Sequence, residues 1–308
     1  GDRAPPGALP ALASQARAVT DSDVTAPVAA DITAEVLAWG APRMRDLPWR
    51  RTRDPWEVLV SEVMLQQTQV RRVVPRWRAF LDRFPTPAAC ASASLGDVLT
   101  EWQGLGYPRR ARNLHATAAR VTALGGFPRD LDGLLALPGV GPYTARAVQV
   151  FAFEIDAAVV DTNIARVYAR VVGERLTPRK VQALADAAVP AGDAWTWNQC
   201  LMDLGAELCR PRSAGCDRCP LTDRCAWRGR PDVVDPAVGS SGVSIRQAAF
   251  EGSDRQARGR LMKALSARSV ARSEIAAVMQ RDLATATRLV DDLIAEGLCV
   301  DADPLTLP

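Results

Sequence analysis

Along most of this chain the hydrophobic positions recur with the period of an α-helix, and the breaks between periodic stretches are sharp. Residues 56–65 are apolar on nearly every side, the mark of a helix buried all round, with Glu62 embedded in it. Gln66, Gln67 and Thr68 interrupt that run, and a helical face resumes with Val70, Val73, Val74, Trp77, Leu81 and Phe84 around Pro75. Upstream, Ile32, Val36, Leu37 and Trp39 share one face, with Asp31 as the expected N-cap. A short helix over 131–137, a glycine turn and a second helix over 143–153 come next. Further helices are expected from Asp161, with Ile164, Val167 and Tyr168 inward, and over 197–205. The fold class this pattern predicts is all-α.

The two ends read differently. Residues 1–30 are rich in Ala, Pro and Ser without apolar periodicity, as expected of a disordered tail. A main domain over 31–231 is followed by a linker over 232–254. Residues 255–308 then predict helices near 256–267, 272–279 and 283–296, with short strands at 298–300 and 305–307, an order that suggests a small winged-helix-like module.

With 308 residues and 48% hydrophobic content, the chain is long enough for a sizeable core in two or three lobes. No apolar run approaches the roughly eighteen residues of a membrane helix, and no basic-then-apolar leader opens the chain. The expectation is a cytoplasmic protein without a membrane partner. The net charge of +3 hides a basic inventory that is almost all arginine, with Lys180 and Lys263 the only lysines. That usage, with abundant alanine, points to a high-GC bacterial genome and is not by itself a nucleic-acid signature.

Candidate chemistry begins at the glycine turn. Gly139 and Gly141 can take positive φ, which would leave the amides of Val140, Gly141 and Tyr143 beside a helix N-terminus as an anion site suited to a DNA phosphate; an ordinary αα-corner is the alternative. The loop over 47–55 is rigid and basic, so Arg50 and its neighbours either reach phosphate or are solvated. Arg109, Arg110 and Arg112 present the same choice. Leu105, between Gly104 and Gly106 and before Tyr107, would form an exposed apolar wedge of the kind that parts stacked bases.

A carboxylic acid set among apolar residues holds its proton toward neutral pH, which makes Glu62 a candidate acid unless it lies on an exposed rim. Asp161 is a helix N-cap and a candidate partner carboxylate. Cys209, Cys216, Cys219 and Cys225, spaced x6, x2 and x5, argue for a metal or a cluster and against disulfides, a four-cysteine zinc knuckle being the generic alternative. Six arginines lie from Arg210 to Arg230, both included, which suits a phosphate-binding loop. Cys90, Cys200 and Cys299 lack such spacing and read as buried thiols.

These motifs together, in this order over residues 33–229, resemble the helix-hairpin-helix DNA glycosylases, and among them the MutY-type adenine glycosylases in a short, actinobacterial-type form. The resemblance implies a two-lobed helix-hairpin-helix fold and a [4Fe-4S] cluster on the four cysteines, with a structural and DNA-docking role. It implies that Glu62 protonates the purine and that Asp161 stays ionised to stabilise the sugar cation, with Tyr143 and Asn163 orienting the pair. Gln67, Thr68 and Leu105 would enter the duplex near the opposite base, next to Gln66 and Tyr107, while Gln199 would help hold the flipped adenine. The implied activity is monofunctional excision of adenine opposite 8-oxoguanine or guanine, by a monomer acting on mismatched double-stranded DNA at the bacterial nucleoid. A T·G or U·G mismatch glycosylase of the same fold, or a non-catalytic iron-sulfur DNA-binding protein, are the rivals.

Two departures qualify the resemblance. Lyase members of the superfamily carry lysine where this chain has Tyr143, so strand cleavage is not expected. Longer MutY-type enzymes carry a β-rich C-terminal domain with a Ser-His pair that inspects 8-oxoguanine; this chain has the short terminal module and a single histidine, His115.

Overall fold

The computed structural model describes residues 32–240 and 249–308. The expected tail at 1–30 and Asp31 lie outside the described residues, as does part of the expected linker. Among the described residues the architecture is helical, with two isolated antiparallel bridges, Val270 with Leu305 and Val300 with Thr306, in place of the two short strands expected near the C-terminus. No described helix is long and apolar enough to cross a membrane.

Two hydrophobic cores divide the chain into two lobes. The first gathers α2 (Pro55–Leu65), α3 (Val70–Arg83), α4 (Pro87–Ser92), α5 (Leu95–Glu101), α6 (Arg109–Ala123), α7 (Leu131–Leu135) and α8 (Pro142–Phe151). The second joins the N-terminal α1 (Thr33–Gly40) to α9 (Thr162–Val172), α10 (Pro178–Ala187) and α11 (Ala194–Glu207). Gly40 allows the close crossing of α1 and α11, since a Cβ there would lie 2.5 Å from Cys200 Sγ.

Helix α2 shows how local sequence positions a functional side chain. Asp54 caps it by accepting from the amides of Trp56 (2.8 Å) and Glu57 (3.1 Å), and Pro55 occupies its first turn. All residues from Val58 to Met64 are buried, so Glu62 is carried into the interior by its neighbours. The helix ends on Arg110. That guanidinium donates to the carbonyls of Val63 (2.8 Å), Met64 (3.1 Å), Gln66 (2.6 Å), Leu105 (2.9 Å) and Gly106 (3.0 Å), and to Thr68 Oγ1 (3.2 Å). A cation on the carboxyl end of a helix satisfies its unpaired carbonyls and complements its dipole.

The phosphate-or-solvent choice for the arginines after Tyr107 is therefore settled differently. Arg109 pairs with Glu296 (2.7 Å), Arg110 is the α2 cap, and Arg112 donates to the Glu296 carbonyl. Leu105 is corrected too. Gly104 and Gly106 both take positive φ, and the turn they make folds the leucine inward to 5% exposure instead of presenting it as a wedge.

The helices of 255–308 are α12 (Asp254–Leu265), α13 (Ile275–Met279) and α14 (Leu283–Ala295). Their apolar faces, including Leu261, Ile275, Leu289 and Leu293, belong to the core of the first lobe. Gly96 N donates to the Pro308 carbonyl at 2.6 Å, and Gln103 to that of Met262 at 3.3 Å.

Replacing Arg110 by Ala removes a charged donor from several buried carbonyls at once, and each such bond contributes about 1.5–3 kcal/mol. The expected outcome in thermal unfolding is a loss of at least roughly 3 kcal/mol, not recovered by Arg110→Lys, whose single ammonium cannot span both rows of acceptors. An unchanged midpoint would remove the capping role.

Candidate active site

A cleft of about 570 Å³ opens between the lobes. Glu62 from α2, Tyr143 from α8, Asp161 and Asn163 at the start of α9, and Gln199 on α11 all line it, with Gln66, Gln67 and Thr68 on one rim and Arg50 on another wall. Leu105, Tyr107, Gly139 and Gly141 do not line it.

Glu62 is 6% exposed, and its Oε2 is buried without a hydrogen-bond partner. Burial pushes its carboxyl up to about 7, the negative charge of Asp161 adding to the rise while the hydrogen bond from Tyr143 and the charge of Arg50 oppose it. The exposed-rim reading of this glutamate is excluded by that burial. In turn, burial and the two carboxylates raise the Tyr143 phenol well above its usual range, so it stays a neutral donor.

Asp161 caps α9. It accepts from the amides of Asn163 (2.9 Å) and Ile164 (2.7 Å), and its other oxygen takes the Asn163 side-chain N–H at 2.8 Å. The expected division, with one carboxyl protonated and the other freely ionised, is softened here. Burial raises Asp161 as well, against the pull of these hydrogen bonds and of Arg166. The contrast is one of hydrogen bonding: Asp161 has three donors, while one oxygen of Glu62 has none.

Three residues that fix this geometry were not singled out in the sequence. Arg166, buried on α9, donates to Asn163 Oδ1 (2.7 Å) and to the Gly205 carbonyl (2.7 Å), which locks the amide that faces Asp161. Gly205 lets α11 approach, since a Cβ there would lie 2.5 Å from that of Asn163. Asp203, 2% exposed, takes both arms of Arg50 at 2.8 Å and the Nε of Arg45 at 2.6 Å. An arginine and a carboxylate on the inward stripe of a helix was the available signal for the first and third.

Arg50 is the clearest correction. At 8% exposure and forked onto Asp203, it is a buried strut and not a phosphate ligand. The neighbouring Arg51 and Arg53 are paired with Asp46 and Glu154. At the glycine turn, Gly139 takes φ +73°, and a Cβ would meet Asn113 at 2.6 Å, so glycine is required there. Gly141 instead is extended (φ −95°, ψ 178°) and the Val140 amide closes the turn onto Leu137 O at 3.1 Å. The amides of Gly141 and Tyr143 keep their place at the start of α8; that of Val140 is spent within the turn.

Cys209, Cys216, Cys219 and Cys225 line one small cavity in the second lobe. Arg170 donates to Cys209 Sγ at 3.3 Å, and the Arg228 amide to Cys225 Sγ at 3.4 Å, as suits thiolates sharing a cofactor. Gly229, with φ +68°, leaves room beside Cys216 Sγ, which a Cβ would approach to 2.9 Å. Among the described residues, no three His, Cys, Asp or Glu side chains are placed to hold a single metal ion. Of the loop arginines, Arg224 and Arg228 are paired with Glu35 and Asp223. Cys90, Cys200 and Cys299 are buried free thiols, as expected.

Comparison with known proteins places this geometry. Residues 60–191 match the family described as HhH-GPD superfamily base excision DNA repair protein. An adenine DNA glycosylase of Mycolicibacterium smegmatis is 42% identical over 273 residues, covering 86% of this chain and 91% of that protein. The adenine DNA glycosylase of Homo sapiens is 40% identical over 221 residues, 65% of this chain and 40% of that protein. Among solved structures, a thermostable thymine-DNA glycosylase matches with a TM-score of 0.63 and 31% identity over 67% of this chain and 99% of that one. An endonuclease III in non-covalent complex with DNA matches at 0.58 and 25%, over 65% and 96%. The helical scaffold is shared along with the sequence, and the chain belongs to the HhH-GPD superfamily of base excision DNA repair proteins.

Proposed function

We propose that this chain is a monofunctional adenine DNA glycosylase, which turns adenine out of a duplex opposite 8-oxoguanine or guanine and hydrolyses its N-glycosidic bond. One observation carries the reading: Glu62, buried with its carboxyl held up to about 7, and Asp161, hydrogen-bonded three times, face a single cleft large enough for a base. Glu62 delivers its proton to the purine, so that adenine departs neutral. Asp161 holds the positive charge that develops on the sugar, the division of labour that paired carboxylates serve in glycoside cleavage. Tyr143 steadies Glu62, and Asn163, locked by Arg166, steadies Asp161. Gln66 and Gln199 offer amides to the base edge, which favours adenine.

The four cysteines would hold a [4Fe-4S] cluster. They line one small cavity with the x6, x2, x5 spacing on which the resemblance rests, and that supports a cluster over a zinc knuckle. When bound, the cluster supplies rigidity to a loop whose Arg210, Arg212, Arg218 and Arg230 are exposed for phosphate. The partner is mismatched double-stranded DNA, engaged by a monomer in the bacterial cytoplasm.

A thymine or uracil mismatch glycosylase is the second reading, favoured by the likeness to the thymine-DNA glycosylase. A panel of A·8-oxoguanine, A·G, T·G and U·G duplexes separates the two. Adenine release from the first pair is expected; faster release from T·G or U·G would transfer the assignment. Because neither Lys180 nor Lys263 lines the cleft, no lysine amine among the described residues is placed to attack the sugar, and strand breaks should appear only after hot alkali. A borohydride-trapped adduct, formed as fast as base is lost, would overturn monofunctional action.

The raised carboxyl of Glu62 gives a second prediction with a defined sign. Single-turnover base release needs the proton, so its rate should fall as pH rises through about 7, and Glu62→Gln should lose about 10²–10⁴-fold while still binding duplex. For stability, both states are protonated below about 4.5; above it the unfolded chain releases a proton that the folded one keeps, so stability declines until pH reaches about 7. The full cost is roughly 3 kcal/mol. Glu62→Gln should therefore raise the melting temperature relative to wild type at pH 8 and not at pH 4. Near wild-type rates in the variant would leave Glu62 as an ordinary helix residue.

The cluster assignment predicts yellow-brown protein with absorbance near about 400 nm and roughly four irons per chain. Cys216→Ser should lose colour and duplex affinity before helix content. Colourless protein with one zinc per chain would refute it.

A further inference from the structure

We propose that the exposed face of α3, carrying Arg71, Arg72, Arg76 and Arg78, is a second phosphate-binding surface that takes the DNA backbone beside the cleft. The proposal rests on the reading of the chain as a DNA glycosylase and adds a contact surface to it.

All four side chains are exposed, and among the described residues none lies within ion-pairing distance of a carboxylate. Several other surface arginines are neutralised by a nearby carboxylate: Arg51 by Asp46, Arg83 by Asp97, Arg268 by Glu274, Arg272 by Asp301 and Arg288 by Asp254. Asp46, which the charge of Arg78 reaches, is already paired with Arg51. Arg71 and Arg72 lie in the first turn, which holds no acidic residue. There the helix dipole is positive and cations are unfavourable, while Arg72 and Arg76 repel across one turn. The described residues therefore carry an excess of positive charge on this face that an external anion would relieve.

The size and position of the group choose the anion. Arg71 and Arg78 are about 10 Å apart along the axis, at 1.5 Å per residue, so the face suits a row of phosphates and not a single one. Gln69 and Val70, just ahead of these arginines, line the cleft itself. A duplex entering the cleft continues over this face. The neutral partners that do exist are consistent with preorganisation: Arg71 Nε donates to Gln69 Oε1 at 2.9 Å, and Arg72 donates to the Gly104 carbonyl.

The test is the salt dependence of binding to a perfectly matched duplex, read by fluorescence anisotropy, so that it reports whether or not any base is excised. Each lost phosphate contact lowers the slope of log K against log salt by about 0.9. Arg71→Gln with Arg76→Gln should flatten it by about 2, which makes the affinity loss between about 50 and 200 mM salt roughly tenfold smaller than in wild type. The melting temperature should hold or rise, because like charges have been removed from the positive end of a helix. Arg71→Lys with Arg76→Lys should restore the slope. A control that removes the same charge elsewhere, Arg120→Gln with Arg179→Gln on exposed faces of α6 and α10, should leave the slope near wild type. An unchanged slope in the α3 variant, or an equal loss in the control, would overturn the proposal. Failure to excise adenine, with the slope difference intact, would count against the glycosylase reading alone.

Discussion

The buried ion pair between Arg50 and Asp203 is the constraint on which the rest of the site depends. Arg50 stands in the first lobe beside Trp49, and Asp203 on α11 in the second, so the two guanidinium–carboxylate bonds of 2.8 Å cross from one core to the other. Neither charge is exposed, and desolvating both is costly enough that a single imperfect bond would not hold them. Here the cost is met by number: Asp203 also accepts the amide and Nε of Arg45, and Arg50 reaches the Arg45 carbonyl. The outcome is a fixed separation between α2 and α9. A cleft whose walls belong to different cores keeps its width only if something rigid spans it.

That spacing sets the electrostatics. Glu62 and Asp161 come from opposite lobes, close enough for the charge of Asp161 to reach the buried glutamate, which water screens poorly. With Arg50, the cation whose charge reaches Glu62, committed to Asp203, the glutamate keeps its proton, and the aspartate is left to the donors of its own helix. The same logic explains why burial alone does not divide the labour. It raises both carboxyls, and the difference arises from which backbone each one meets: Glu62 lies mid-helix, where every amide is already bonded, whereas Asp161 sits at a helix start, where amides are free.

Much of this was legible in the sequence, because periodicity and spacing report local structure directly. The apolar run around Glu62, the N-cap at Asp161, the glycine turn and the cysteine loop all stand where pattern and resemblance put them. What could not be read was partnership. Arg50, Arg109, Arg110 and Arg112 looked alike as free cations, yet each is consumed within the fold: by Asp203, by Glu296, by the end of α2 and by the Glu296 carbonyl. Leu105 and Gly141 failed for a related reason, since a glycine licenses a turn without saying which way its neighbour faces. Both errors come from inferring exposure from residue type, when exposure is decided by contacts distant in sequence.

The C-terminal residues carry that point furthest. Composition draws a boundary near 232–254, but packing does not respect it. Glu296 accepts from Arg109 at 2.7 Å and Arg258 at 2.5 Å, which hold its carboxyl down to about 2 despite partial burial, so the pair with Arg109 joins α14 to α6. Arg255 donates to the Tyr107 hydroxyl at 2.9 Å, and Tyr107 itself takes φ +50° at the end of the glycine-flanked loop. Arg110, stacked over Tyr107 and Trp102, ties that loop in turn to the carboxyl end of the helix bearing Glu62. A continuous path of contacts thus runs from α12 through the loop to α2. Because Leu261, Leu289 and Leu305 share the core of the first lobe, the terminal helices are part of the wall that supports the site and not a separately packed body tethered to it.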